Sequence, residues 1–173
     1  MIKINFYGGP GSGKSVVSAL LFAELKIHHF KAELVREVAK DKVYQGIDMR
    51  EAGPDLQLMI FSEQLGRELI VEKNVDYLIS DSPLFLNAFY SGQDALLEIA
   101  KKRNHRKDFH IWLEREANEE FQSEGRSHTK KQSLSIDVTM KQFLLDAGLN
   151  LLTVKGTSKE KCQYILNRII QNK

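Results

Sequence analysis

The 173-residue chain has one cysteine, three prolines and one tryptophan. No apolar run approaches the roughly 18 residues that a membrane span needs. A single thiol, Cys162, excludes a disulfide framework and any multi-cysteine zinc site, and at a helical position it reads as a packed side chain. No leader pattern precedes the first strand pattern, so the expectation is a cytoplasmic protein without membrane association. A formal charge of +2 is too small to argue by itself for a nucleic-acid or membrane surface. Internal repeats, low-complexity tracts and Pro/Gly/Ser-rich linkers are also missing, which predicts one domain over residues 1–173. A hydrophobic content of 42% gives that domain enough material for a full core.

Glycine is abundant in one place only. Gly8-Gly9-Pro10-Gly11-Ser12-Gly13-Lys14-Ser15 fits the phosphate-binding loop G-x-x-x-x-G-K-[ST]. Ile2 to Tyr7 before it reads as a buried strand, and Ser15 to Ile27 after it reads as a helix. In such a turn successive backbone N–H groups converge on a phosphate chain, and the following helix points its positive end at the same anion. Gly8, Gly9, Gly11, Ser12, Gly13, Lys14 and Ser15 are therefore the expected nucleotide contacts. Lys14 would reach the β- and γ-phosphates, and the Ser15 hydroxyl would ligate Mg²⁺.

The rest of the chain alternates strand and helix patterns. His28 and His29 close the first helix, where the dipole favours a cation. Ala32 to Glu37 reads as a second strand, placing Glu37 at the carboxyl edge where open α/β sheets bind ligands; the alternative is a surface acid paired with Arg36 or Lys40. Lys40 to Gly53 reads as a short helix or a mobile loop. Pro54 then starts a long amphipathic helix to about Lys73, with Leu56, Met59, Ile60, Leu65, Leu69 and Ile70 expected inward. Gln57, Gln64 and Arg67 fall near one face, as a solvated stripe or as amides reading a base edge. Val75 to Ser80 reads as the third strand, and Asp81 at its end has the position of a Walker-B acid that holds Mg²⁺. Leu84 to Tyr90 is rich in aromatics and reads as a packed helix, as a wall for a stacking base, or as both.

A helix from about Gln93 to Arg103 leads into the basic cluster Lys101, Lys102, Arg103, Arg106 and Lys107, either a solvated helix end or a contact for a polynucleotide backbone. Phe109 to Leu113 reads as the fourth strand, with Trp112 in the core. Residues 114–131 form the most polar stretch and lack an apolar stripe, so they are expected to make a lid, with Arg115 and Arg126 as candidates to clamp phosphoryl oxygens. A helix from about Ile136 to Ala147, a fifth strand from Leu149 to Val154, and a last helix opened by Gly156-Thr157-Ser158 complete the chain. That helix is expected to bury Ile165, Leu166, Ile169 and Ile170.

Five such cycles predict an α/β fold with a parallel sheet and helices on both faces. Gly8 to Ser15, Arg36-Glu37, Asp81-Ser82-Pro83 and Glu124-Gly125-Arg126, in that order, make the chain resemble the compact P-loop kinases, the nucleoside and nucleotide kinases together with nicotinamide riboside and polynucleotide-end kinases. The resemblance implies a five-stranded sheet of order 2-3-1-4-5 and an ATP- and Mg²⁺-dependent phosphotransferase. It also implies that Glu37 receives the acceptor proton, that Arg115 and Arg126 hold phosphates, and that Gly156 and Thr157 border the donor adenine. The large lid domain of long adenylate kinases is absent. The acceptor stays open between a hydroxyl and a phosphate, a small nucleoside-like molecule being favoured over nucleic acid, and the oligomeric state is not fixed. A regulatory ATPase is the rival reading; no Asn-Lys-x-Asp motif for guanine occurs.

Overall fold

A computed structural model describes residues 1–115 and 130–171, except for the side chains of Arg50, Lys130 and Lys131. Five parallel strands form one sheet in the order β2-β3-β1-β4-β5. They are β1 (Ile2–Tyr7), β2 (Ala32–Val35), β3 (Tyr77–Ser80), β4 (Phe109–Leu113) and β5 (Leu151–Val154). The helices are α1 (Lys14–Ile27), α2 (Val38–Tyr44), α3 (Pro54–Val71), α4 (Leu84–Ser91), α5 (Asp94–Lys102), α6 (Lys130–Asp146) and α7 (Ser158–Gln171), with a 3-10 turn at Met49–Glu51. Sheet order and parallel sense are those expected. None of the described helices is long and apolar enough to cross a membrane.

The central strand separates two different layers, because successive side chains of a strand point to opposite faces. Ile4 and Phe6 face α1 and α7 and join an apolar core with Val17, Leu21, Ile165 and Ile169. Lys3, Asn5 and Tyr7 are as deeply buried. Tyr7 packs in a second core with Phe61, Phe85, Trp112 and Met140. Trp112 is thus a core residue, as expected, and Cys162 is buried among the apolar residues, where burial lifts its thiol to about 11.

That second layer corrects the reading of α3. Met59, Leu69 and Ile70 are exposed, and the buried face is Ile60, Phe61, Gln64 and Glu68. The physical reason lies in the sheet. Lys3 on β1 needs a buried partner, and Glu68 supplies it with an Nζ–Oε2 distance of 2.7 Å, so the helix turns an acid inward and leaves aliphatic side chains in water. Ile170 of α7 is likewise exposed rather than buried. Arg67, on the stripe read as solvated or base-reading, instead bridges Asp41 at 2.8 Å and Glu63 at 2.7 Å, tying α3 to α2.

Lys40 to Gly53 holds α2 and the 3-10 turn, the structured alternative of the two expected. At the end of α1, His29 takes a left-handed conformation and terminates the helix. Among the described residues no group of three His, Cys, Asp or Glu side chains could hold a metal, so the histidine pair is a helix end.

Candidate functional site

All five strands end on one edge, and the expected site residues follow the strand order along it. Glu37 lies beyond β2, Asp81 directly after β3, the Gly-rich loop after β1, Arg115 beyond β4, and Gly156-Thr157 beyond β5. With strands about 4.8 Å apart, the row spans about 19 Å, the length of an extended nucleotide.

The loop is shaped by its own backbone. Gly13 is the N-terminal flank of α1 at φ 84°, a left-handed conformation that a Cβ would strain. Lys14 Nζ donates to the carbonyls of Gly8 at 2.6 Å and Gly9 at 3.3 Å, which uses two of its three N–H groups and leaves one for an anion. Burial lowers the Lys14 pKa, opposed by the carboxylates of Glu37, Asp81 and Asp137. Ser12 is buried, and its Oγ has no partner. Ser15 at the start of α1 is exposed to the edge.

Asp81 is 7% exposed, and its Oδ1 is buried without a hydrogen-bond partner among the described residues. Burial raises its pKa from the ordinary carboxyl value to about 6; Lys14 opposes the shift and Glu37 adds to it. A buried carboxylate oxygen with no donor is costly unless something binds it. A divalent cation is what this donor set suits, since an unpaired carboxylate and a serine hydroxyl such as that of Ser15 are hard oxygen ligands. The turn that carries Asp81 is held by Asn87, whose Nδ2 donates to the carbonyls of Ser82 at 3.1 Å and Pro83 at 3.3 Å.

Glu37 precedes α2 as its N-terminal flank, yet its side chain makes no capping bond. Among the described residues it has no ion pair within 4.0 Å, so the alternative of a surface acid paired with Arg36 or Lys40 does not hold. Its charge acts on Lys14, Asp81 and Tyr90, which puts all four side chains within electrostatic reach. Gln64 reaches the same place from α3. Its Oε1 accepts the Val38 N–H at 3.1 Å, while its Nε2 is buried without a partner among the described residues. The aromatic stretch divides its work: Phe85 packs edge-on against His110 and Phe89 against Phe143. Tyr90 is 39% exposed, with burial of its hydroxyl and the charges of Glu37 and Asp137 raising its pKa.

Arg115 is not a mobile cation. Its Nε donates to Asp137 Oδ2 at 2.5 Å and its Nη2 to the Pro10 carbonyl at 2.9 Å. Asp137 Oδ1 also accepts the Gly9 N–H at 2.5 Å. A Cβ on Gly9 would meet that oxygen at 2.6 Å and the Ser133 carbonyl at 3.0 Å, so this glycine admits α6 to the loop. Sequence reasoning missed Asp137. It expected α6 to begin near Ile136, whereas the helix begins at Lys130, and an acid two turns into a polar helix carries no local signal. Arg126 and the segment Glu124-Gly125 lie outside the described residues.

At the far end of the row, Thr157 Oγ1 and its N–H both donate to Glu160 Oε2 at 2.8 Å. This is a capping box, so the polar groups of Thr157 are spent on α7. The basic cluster of residues 101–107 precedes β4 and therefore lies on the opposite edge of the sheet, about 16 Å away along the five-residue strand.

A family model described as an AAA domain matches residues 3–161. No curated protein was found to match. Among solved structures, the crystal structure of NadR protein in complex with NR superposes with a TM-score of 0.76 at 14% identity. The match covers 98% of this chain and 51% of that one, so the chain spans about half its length.

Proposed function

The chain belongs to the AAA-domain family and has a P-loop kinase-like fold; from that premise we propose that it transfers the terminal phosphoryl group of ATP to a nucleoside or nucleotide-like acceptor. The observation that carries the reading is the buried, unpartnered Asp81 oxygen beside Lys14 at the end of β3. Phosphoryl transfer asks a protein chiefly for positioning and charge neutralisation, and the sheet edge supplies both. The backbone N–H groups of Gly11, Gly13, Lys14 and Ser15 and the free Lys14 donor hold the phosphate chain, the Gly9 N–H being taken by Asp137. Asp81 and the Ser15 hydroxyl would hold Mg²⁺, which would supply charge neutralisation at the phosphates. Arg115 adds a fixed cation near the loop, and the role assigned to Arg126 is to hold the phosphates as well. Gly156 and Thr157 border the adenine through backbone and surface.

The acceptor occupies the side of the row that Glu37 and Tyr90 flank. If it is a hydroxyl, Glu37 takes its proton; if it is a phosphate monoester, Glu37 orients the sugar. The NadR structure was solved with NR, which favours a small acceptor of that kind. A polynucleotide is less favoured because the basic cluster lies on the other edge.

The test is a screen of nucleosides, nucleotides and oligonucleotides with γ-labelled ATP, scored by where the label goes. Label on a nucleoside-like acceptor is the expected result. Label released only into water contradicts the reading and supports a regulatory ATPase.

A further inference from the structure

Asp137 belongs to no motif, yet three elements meet on its carboxylate. One oxygen accepts the Gly9 N–H of the P-loop, and the other accepts Arg115 Nε, each at 2.5 Å. Arg115 Nη2 closes the arrangement on the Pro10 carbonyl at 2.9 Å, with a longer contact of 3.4 Å to Asp137 Oδ1. Both charged side chains are largely buried, at 15% and 16% exposure.

Counting donors shows what this leaves. A guanidinium has five N–H groups in a rigid plane. Nε and Nη2 are committed to Asp137 and Pro10, while Nη1 has no partner among the described residues. The plane cannot rotate without breaking these bonds, so the direction of Nη1 is fixed by the protein. Lys14, the residue that reaches the β- and γ-phosphates, rests on the carbonyls of Gly8 and Gly9. Arg115 rests on the next carbonyl, Pro10, which sets the two cations side by side at the start of the loop; Arg115 is also among the charges that act on Lys14.

We propose that Asp137 is a positioning residue for Arg115, holding the guanidinium on the P-loop so that Nη1 is presented to the terminal phosphoryl group of a bound nucleoside triphosphate. The inference rests on the nucleotide-binding part of the function proposed above and needs no acceptor. It predicts that Asp137 acts through Arg115 and matters more for a triphosphate than for a diphosphate. A merely structural anchor for α6 has neither property.

The experiment is a double-mutant cycle read on equilibrium affinity for ATP and for ADP, with melting temperatures recorded alongside. Asp137→Asn should lower the ATP-over-ADP preference about tenfold, within the range that contacting residues couple. Arg115→Ala should lower it by a similar factor, and the double variant no further than either single one. Asp137→Glu keeps the charge but displaces it by one methylene. It should lower the ratio in the same background-dependent way, and it covers the case in which the amide fails to fold. Equal losses for ATP and ADP, an undiminished Asp137 effect in the Arg115→Ala background, or a fall in melting temperature with the ratio unchanged would each overturn the proposal. A wild type that binds ATP but phosphorylates no acceptor would remove the kinase reading and leave this cycle readable.

Discussion

Two acids lie buried against the same sheet, and the fold treats them in opposite ways. Glu68 at the amino half of the sheet meets Lys3 at 2.7 Å, beside a small pocket lined by Asn5, Arg103, Asn104 and Asp108. Nearby polar groups are matched in the same way except for the buried Arg103 Nε: the Tyr7 hydroxyl lies 3.0 Å from His110 Nδ1, and His110 Nε2 lies 2.9 Å from Asn104 Oδ1. Burial keeps His110 neutral by lowering its pKa to about 4. Asp81, at the carboxyl edge, keeps an oxygen with no partner, and Ser12 Oγ and Gln64 Nε2 nearby share that condition. Buried polar groups that the protein satisfies itself hold the layers in register. Among those it leaves unsatisfied, Asp81 Oδ1 is the carboxylate oxygen, and its place beside Lys14 marks the carboxyl edge as the working end.

Removing Lys14 should show the working end most strongly. Lys14→Ala is expected to take turnover below detection while leaving the unfolding transition in place, because among the described residues this side chain bonds to the Gly8 and Gly9 carbonyls of the loop. A steady-state assay beside a thermal melt checks both halves, and near-normal turnover would place the site elsewhere.

The structural end should fail in the complementary manner. Lys3→Met leaves Glu68 buried and unpaired, at an expected cost of about 3–5 kcal/mol. Adding Glu68→Leu removes the orphaned charge and should recover most of that loss, since replacing both members of a buried pair is often close to neutral. Denaturant unfolding of the single and double variants measures this. A mild Lys3→Met variant would mean that the pair is not what holds α3 to the sheet.

Glu37→Gln sharpens the contrast at the acceptor side. If Glu37 takes the acceptor proton, turnover should drop by about 10²–10⁴ with little change in KM. If it orients the sugar, KM should rise and turnover should change less. Kinetics identical to wild type would remove Glu37 from the site.

The smallest effect concerns pH. Asp81 is easier to protonate in the folded chain than when unfolded, so the stability it contributes is greatest below pH 4. That stability is lost as pH rises through about 6. Without metal or nucleotide, Asp81→Asn should flatten the fall between pH 4 and 6, a term of about 1–3 kcal/mol. Glu68→Gln should lower stability at pH 7 instead. The same acid-to-amide change thus has opposite signs at the two sites.

Much of this was legible in the sequence, and the failures share a cause. The P-loop, the end of β3 and the alternation of elements are local patterns, and local backbone chemistry decides them. The orientation of α3 was misread because hydropathy treats Glu68 as an outward residue, while the inward choice depends on Lys3, 65 positions away. Asp137 was missed for a similar reason, since its meaning comes from Gly9, 128 positions away. Arg115 was recognised as a residue but not as a fixed one, because its anchoring depends on the unrecognised acid. The Thr157–Glu160 capping box, three residues long, is by contrast a local pattern of the legible kind.

The most direct test compares wild type and Asp81→Asn by unfolding at pH 7, without ligand, with ATP and EDTA, and with ATP and Mg²⁺. The account predicts that the variant is the more stable protein without ligand. It also predicts that ATP with Mg²⁺ stabilises wild type beyond ATP alone, and that this metal-dependent increment is missing from the variant. A variant that is less stable without ligand, or that keeps the full increment, would contradict the claim that Asp81 is left unpaired to hold the metal.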